Sequence, residues 1–154
     1  MAKQKPEYEV VDEFNLMARQ IVDKHAHIFD GIDPDEICCV KITNKDKPEG
    51  KKSLWQLQAV KMPMRLHNPY GWYVVIHASD WDDLPEKNKL ILVAEILNGV
   101  PTNEENEGKV NAFDSKGFKL MQRTFKGIDY LYDPDPPHLL EDDIKWVQDI
   151  SFPK

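Results

Sequence analysis

The amino-acid sequence predicts an α+β domain, because one amphipathic helix is followed by a group of short strands and then by further helices. The N-terminal helix is indicated over about residues 12–28, where apolar residues recur at steps of three and four. Strands are indicated at 36–42, 54–60 and 72–78, where β-branched, aromatic and small apolar residues are concentrated. This order predicts a small three-stranded sheet that packs against helices.

A central buried helix is predicted after the third strand. The side chains from 90 to 97 are apolar on nearly every side, with Glu95 as the exception. A helix that is apolar all round is expected in the middle of a core. Asp82 or Asp83 can cap its N-terminus, and Gly99 follows its last apolar residue and ends it.

The C-terminal third is predicted to hold two more helices, at about 115–125 and 140–150, separated by a proline-rich extended segment. A chain of 154 residues suits one domain. We therefore expect a single domain over 1–154. Its core is expected in about 6–130, and 131–154 are expected to add the proline-rich segment and the short helix.

The composition excludes several classes of protein. A net charge of −7 argues against generic nucleic-acid binding, which needs a basic surface. No run of about 18 apolar residues is present, so we expect no membrane span. The basic N-terminus lacks the apolar stretch of a signal peptide, which favours a cytoplasmic protein. Cys38 and Cys39 are adjacent, a poor geometry for a disulfide, and are expected to be buried small apolar residues.

Glu95 requires an explanation, because a buried, unpaired carboxylate is costly. It stands in the sequence Ala94-Glu95-Ile96-Leu97-Asn98. Zinc peptidases carry His-Glu-x-x-His on a helix, where two histidines on one face bind zinc and the glutamate activates the zinc-bound water. Glu95 matches the glutamate of that pattern. A single glutamate more commonly reaches solvent or pairs with a lysine, and that reading stays open.

The order of segments resembles the metallopeptidase family found in bacteriophages and prophages. An apolar strand at 73–78 leads through Trp81 into the Glu95 helix, and the segment 108–118 lies where that family has His-Asp-x-x-x-Phe. The resemblance extends over about 6–130 and rests on order and spacing. It implies a zincin-like fold.

The same resemblance assigns residues to the metal site. The two histidine ligands of the helix fall on Ala94 and Asn98, the third falls on Phe113, and the catalytic glutamate falls on Glu95. Alanine and phenylalanine side chains have no donor atom for a metal, and asparagine is a poor zinc ligand. The resemblance therefore implies a degenerate member with a vestigial glutamate and no cofactor.

These observations favour a catalytically inactive, metallopeptidase-like domain of phage or prophage type in the bacterial host cytoplasm. It is expected to act as an accessory factor by binding a protein, such as a host protein that it inhibits. In zinc peptidases, a strand beside the metal helix binds extended peptide by strand addition, and the strand at 72–78 resembles that element. Met62 and Met64 can flank such a groove. The predicted groove residues are Trp72, Val74, Ile76 and Trp81.

Two alternatives remain open. The first is an active metal-dependent peptidase with an atypical zinc site around Glu95. The second is an acidic accessory protein that mimics or processes nucleic acid, using the acidic C-terminal third or the lysine-rich stretch at 41–61. The five histidines are scattered, and a replacement metal site among them is not favoured.

Overall fold

The computed structural model describes residues 5–44, 55–101, 119–125 and 135–147, and within them the chain forms a four-stranded sheet with helices. The elements are β1 (Tyr8–Val10), α1 (Asp12–Lys24), α2 (Ala26–Phe29), β2 (Ile37–Ile42), β3 (Trp55–Ala59), β4 (Trp72–His77), α3 (Ala78–Trp81), α4 (Glu86–Leu97) and α5 (Lys119–Thr124). Short 3₁₀ helices lie at Pro34–Glu36 and Met64–His67. The predicted α+β class is confirmed.

The strand order in the sheet is β1-β2-β4-β3. The inner strands β2 and β4 are parallel, and their register runs from Ile37 opposite Trp72 to Ile42 opposite His77. The outer strands β1 and β3 are antiparallel to their neighbours. The prediction of three strands was wrong by one, because β1 has only three exposed residues and gives too short a pattern to recognise.

Alternation along the inner strands places one face of the sheet against the helices. Cys39, Val74 and Ile76 are buried on this face, and they belong to the same core cluster as the apolar residues of α1 and α4. The largest fully buried side chains are Phe14, Ile21, Phe29, Ile37, Ile76, Leu90, Ile91, Leu92, Ile96, Leu97, Met121 and Leu139. Because Leu139 is among them, the core extends past the predicted limit at residue 130.

The central helix is confirmed, with a different start. Every residue from 90 to 97 of α4 is buried, and the helix ends at Leu97, just before Gly99. It begins at Glu86 with Pro85 as the N-cap residue, so the predicted caps Asp82 and Asp83 are wrong. Those two residues follow α3, a short helix that the sequence pattern did not indicate. No helix in the described part of the chain is long and apolar enough to cross a membrane.

The predicted N-terminal helix is divided at His25. The helix α1 ends at Lys24, His25 leaves the helical conformation with φ −114° and ψ 41°, and α2 follows. The His25 N–H still donates to the Ile21 carbonyl at 2.8 Å. The side chain of His25 contacts the C-terminal segment, defined as residues 135–147, and this tertiary contact accompanies the break.

The predicted helix at 140–150 is wrong over its described part. Residues 143–147 are not helical, and 148–150 lie outside the described residues. The Val147 N–H donates to Thr124 Oγ1 at 3.0 Å rather than to a carbonyl one turn earlier. Lys24 Nζ donates to the Asp142 carbonyl at 2.7 Å. The C-terminal segment therefore uses its polar groups to bind α1 and α5.

Of the predicted helix at 115–125, only α5 lies within the described residues.

His25 connects the C-terminal segment to the helices. Its Nε2 lies 2.7 Å from the Leu139 carbonyl oxygen, and its Nδ1 accepts the indole N–H of Trp146 at 2.9 Å. A neutral imidazole with its proton on Nε2 satisfies both bonds. Trp146 also packs edge-to-face on Phe29 and Phe125, with ring centroids 5.6 and 5.8 Å apart. Four aromatic rings thus hold this part of the core together.

This arrangement predicts a loss of stability in mild acid. Burial is the largest effect and lowers the pKa of His25, the hydrogen bond to the Leu139 carbonyl opposes it in part, and nearby Lys24 and His27 lower the pKa further. The unfolded chain, with a histidine pKa of about 6.5, takes up the proton first. The stabilisation is therefore present above about pH 6.5 and is lost as the pH falls through the lower pKa of the folded state. We expect urea unfolding to show this loss for the natural chain. The difference in unfolding free energy between it and His25→Gln should shrink on acidification, and a difference independent of pH contradicts the prediction.

Candidate functional site

Glu95 lies inside the core and has a specific partner. Its side chain is on α4, only 5% of the residue is exposed, and its carboxylate accepts the indole N–H of Trp55 at 2.8 Å. Trp55 is the first residue of β3. This bond offsets part of the cost of burying the carboxylate. Among the described residues, an aromatic donor on the sheet is thus a partner of this carboxylate.

Asn98 stands at the second predicted ligand position and caps α4. Its backbone N–H donates to the carbonyls of Ala94 and Glu95, at 3.2 and 3.1 Å. Its side-chain Nδ2 donates to the Ala94 carbonyl at 2.8 Å. The amide therefore turns back onto its own helix and gives the Ala94 carbonyl a second hydrogen bond. The two predicted ligand positions are joined by this local bond.

The residues at the predicted metal site do not suit a zinc ion. Ala94 is fully buried and offers only a methyl group, and the Asn98 amide is bonded to the helix. Phe113, the third position, lies outside the described residues. Among the residues that the structure describes, no three His, Cys, Asp or Glu side chains are grouped closely enough to hold a metal. The residues at the end of α4 therefore serve the packing and hydrogen bonding of the helix rather than metal binding.

The predicted peptide groove is not where the sequence placed it. β4 is an inner strand, paired with β2 on one side and β3 on the other, so both of its edges are occupied. All four predicted groove residues are buried in the core. They are Trp72, Val74, Ile76 and Trp81. The prediction was wrong because alternating large apolar residues mark the most buried strand, whereas an added peptide needs a free edge.

In the sheet that the described residues form, the edge strand beside α4 is β3. Besides the bond from Trp55 to Glu95, β3 approaches the end of α4 closely at Gly99. A Cβ atom added to Gly99 would lie 2.8 Å from Leu57 Cδ2. Glycine therefore permits close contact between the helix end and the strand. Sequence reasoning missed this role of β3, because the alternating polar residues Gln56 and Gln58 show only that one face of the strand is towards solvent and carry no signal of its place in the sheet.

Two of the scattered histidines serve the fold. His25 and His138 are both buried, and His138 Nδ1 accepts the backbone N–H groups of Leu140 and Glu141, each at 3.2 Å. His67 is exposed and His77 is half-buried. These four positions lie on different elements and do not form a common site. The backbone N–H of His138 donates to the Asp142 carboxylate at 2.8 Å, and these local bonds shape the C-terminal segment.

The cysteines follow the prediction. Cys38 and Cys39 are free and buried, on opposite faces of β2. Burial raises the pKa of both thiols, so they stay protonated and unreactive at neutral pH. We therefore assign neither cysteine to the candidate site.

A comparison of the chain with protein-family models, with curated proteins and with solved structures finds no match.

Proposed function

We propose that this chain is a catalytically inactive, metallopeptidase-like domain of phage or prophage type that acts in the cytoplasm by binding a protein. The observation that carries the proposal is the bond between Glu95 and Trp55. A glutamate that activates water must reach that water with a free carboxylate oxygen. Here the carboxylate is buried and accepts a hydrogen bond from the indole N–H, so the residue supports the packing of β3 on α4.

The chemistry of the flanking positions supports the same proposal. A catalytic zinc site uses three protein ligands and leaves one position for water. In this chain the positions around Glu95 offer a methyl group at Ala94 and a bonded amide at Asn98. The scaffold nevertheless retains an edge strand next to the helix, and strand addition to a sheet edge requires no metal. A domain that has lost its metal ligands but retains this edge strand can still bind a protein partner.

The catalytic half of the proposal is tested with the purified full-length chain. The protein is incubated with excess zinc, dialysed and analysed for metal, and it is assayed on unfolded casein with and without a chelator. We expect no stoichiometric zinc and no hydrolysis that the chelator abolishes. The Glu95→Gln variant should behave like the natural chain in both assays. One zinc per chain, together with hydrolysis that Glu95→Gln removes, would overturn the proposal in favour of an active peptidase.

A further inference from the structure

The strand β1 forms one margin of the sheet and carries exposed apolar side chains. In the described sheet it pairs with β2 alone. All residues of β1 are exposed, and the exposed fractions of Tyr8 and Val10 are 57% and 54%. These two residues are two positions apart in a strand, so their side chains lie on the same face of the sheet. An aromatic and an aliphatic side chain thus stand together at a sheet margin.

The hydrogen bonds to β2 show which backbone groups of β1 point away from the sheet. The Glu7 carbonyl accepts a bond from β2 at 3.0 Å, and the Val11 N–H donates one to β2 at 2.9 Å. Because backbone groups alternate in direction along an antiparallel strand, the N–H and C=O groups of Tyr8 and Val10 point outwards. Within the part of the chain that the structure describes, no strand pairs with these outward groups. They can therefore bond to an added strand.

The exposed side chains of β1 continue apolar rows that cross the sheet. Val10 is opposite Val40 in β2, and Val40 is opposite Val75 in β4. Tyr8 is opposite Ile42 in the same register. The β2 and β4 members of these rows are half-buried on this face. A strand added outside β1 would place its own apolar side chains at the end of the rows, against Tyr8 and Val10.

The other face of β1 is acidic. Glu7 and Glu9 are exposed and alternate with the apolar residues, so their carboxylates lie on the opposite face. Lys41 is opposite Glu9 in the register, but its ammonium group donates to Asp82 at 2.8 Å. None of the ion pairs among the described residues involves Glu7 or Glu9. Basic side chains of an added strand would therefore meet two exposed carboxylates, on a protein whose net charge is −7.

These carboxylates disfavour a second copy of this chain as the added strand. If two copies paired antiparallel, with Tyr8 of each opposite Val10 of the other, Glu9 would stand opposite Glu9 of the second copy. Pairing centred on Tyr8 would instead bring Glu7 opposite Glu9. Like charges directly opposite one another destabilise a pair of strands. A strand that carries the opposite charge is the better occupant.

We propose that the β1 margin, defined as residues 7–10, binds an extended segment of a partner protein in which Lys or Arg alternates with apolar residues. Backbone pairing with Tyr8 and Val10 holds the segment at the margin of the sheet. Its apolar side chains pack on those two residues, and its basic side chains lie beside Glu7 and Glu9. This inference rests on the proposed binding function and adds to it the surface and the chemistry of the partner.

Two displayed libraries of short peptides test the proposal on the full-length chain. In one library Lys or Arg alternates with Val, Ile or Tyr, and in the other Asp or Glu takes the basic positions. We expect enrichment from the basic library alone. Val10→Pro removes an outward N–H group and leaves the bonds to β2 in place, so the affinity of the selected peptides should fall about tenfold. Calorimetry measures the affinities.

Modified peptides test strand pairing without any change to the protein. Only every second residue of an added strand bonds to β1 through its backbone. Methylation of alternate peptide nitrogens should therefore abolish binding in one frame and leave it nearly unchanged in the other. Equal affinities of the two methylated peptides would show that the selected peptides do not bind as a strand, and this result would overturn the inference.

A charge exchange tests the acidic face of the β1 margin. Glu7→Lys/Glu9→Lys should weaken binding of the selected basic peptides severalfold and strengthen binding of the same peptides with Glu in the basic positions. The matched control is Asp23→Lys/Asp30→Lys, which makes the same change in net charge at two other exposed acidic residues and should leave both affinities nearly unchanged. Circular dichroism verifies that each variant is folded.

The remaining results also decide the matter. No enrichment, equal enrichment from the two libraries, or equal effects of the two charge exchanges overturns the inference. Concentration-dependent dimerisation that Val10→Pro abolishes identifies a second copy of the chain as the occupant and overturns it as well. Cleavage of the selected peptides by the zinc-loaded chain contradicts the proposed inactivity and leaves the β1 margin as the binding surface, so the two proposals fail separately.

Discussion

Replacing Trp146 by alanine is expected to lower the free energy of unfolding by about 3 kcal/mol. The substitution removes edge-to-face packing on His25, Phe29 and Phe125, with ring centroids 5.2, 5.6 and 5.8 Å from that of Trp146. It also leaves His25 Nδ1 without its donor. Trp146 is half-buried, so the cost lies near the lower end of the range for aromatic truncation. Urea unfolding at neutral pH, followed by circular dichroism, measures the change.

Trp146→Phe separates the packing from the hydrogen bond. Phenylalanine keeps most of the ring contacts but has no N–H group, so we expect a smaller loss of about 1 kcal/mol. The indole donor should be the part that matters for pH, because protonation of His25 Nδ1 also breaks that bond. If Trp146→Ala unfolds at the same urea concentration as the natural chain, the C-terminal segment does not stabilise the fold and the interpretation of this cluster is wrong.

The features of the fold that could be predicted are those with a strong local pattern. The helix α4 was recognisable because its residues from 90 to 97 are apolar on nearly all sides, and Gly99 follows them. β2 and β4 were recognisable from their runs of β-branched and aromatic residues. The spacing of apolar residues along a segment follows from which of its side chains are buried. Helices and strands with a clear spacing can therefore be recognised from the sequence alone.

Features that depend on contacts between distant residues could not be predicted. Ile144 and Val147 have helical spacing, but the N–H of Val147 binds Thr124 and the indole of Trp146 binds His25, 121 residues away. The break between α1 and α2 at His25 has the same origin. Tertiary bonds of this kind outweigh the small helix preference of a short segment.

The candidate site was predicted in the same uneven way. Glu95 was recognised as a carboxylate in an apolar helix that needs a partner, and it is indeed buried. Its partner Trp55 is 40 residues earlier, and no local pattern connects the two. Apolar alternation led to β4 as the peptide-binding strand, although strand order in the sheet, which a single sequence does not display, places β3 at the edge.

Replacing Glu95 by alanine is expected to lower the free energy of unfolding by about 2 kcal/mol. The change removes the acceptor of the Trp55 indole N–H, at 2.8 Å in the natural chain, and leaves a cavity beside α4. Glu95→Gln retains a side-chain oxygen at the same distance along the side chain, so its stability should lie within about 1 kcal/mol of the natural protein. Thermal and urea unfolding of the three proteins give the comparison.

A double-mutant cycle attributes this stability to the pair of side chains. Trp55→Phe removes the donor and leaves the carboxylate buried, and combining it with Glu95→Ala removes both partners. If the bond joins α4 to the edge strand, the two losses should not add, and the coupling energy should be about 1.5 kcal/mol or more. Additive losses would mean that the two residues stabilise the fold independently. In that case the bond between Glu95 and Trp55 would not stabilise the fold. A catalytic role of the Glu95 carboxylate would then need to be considered again.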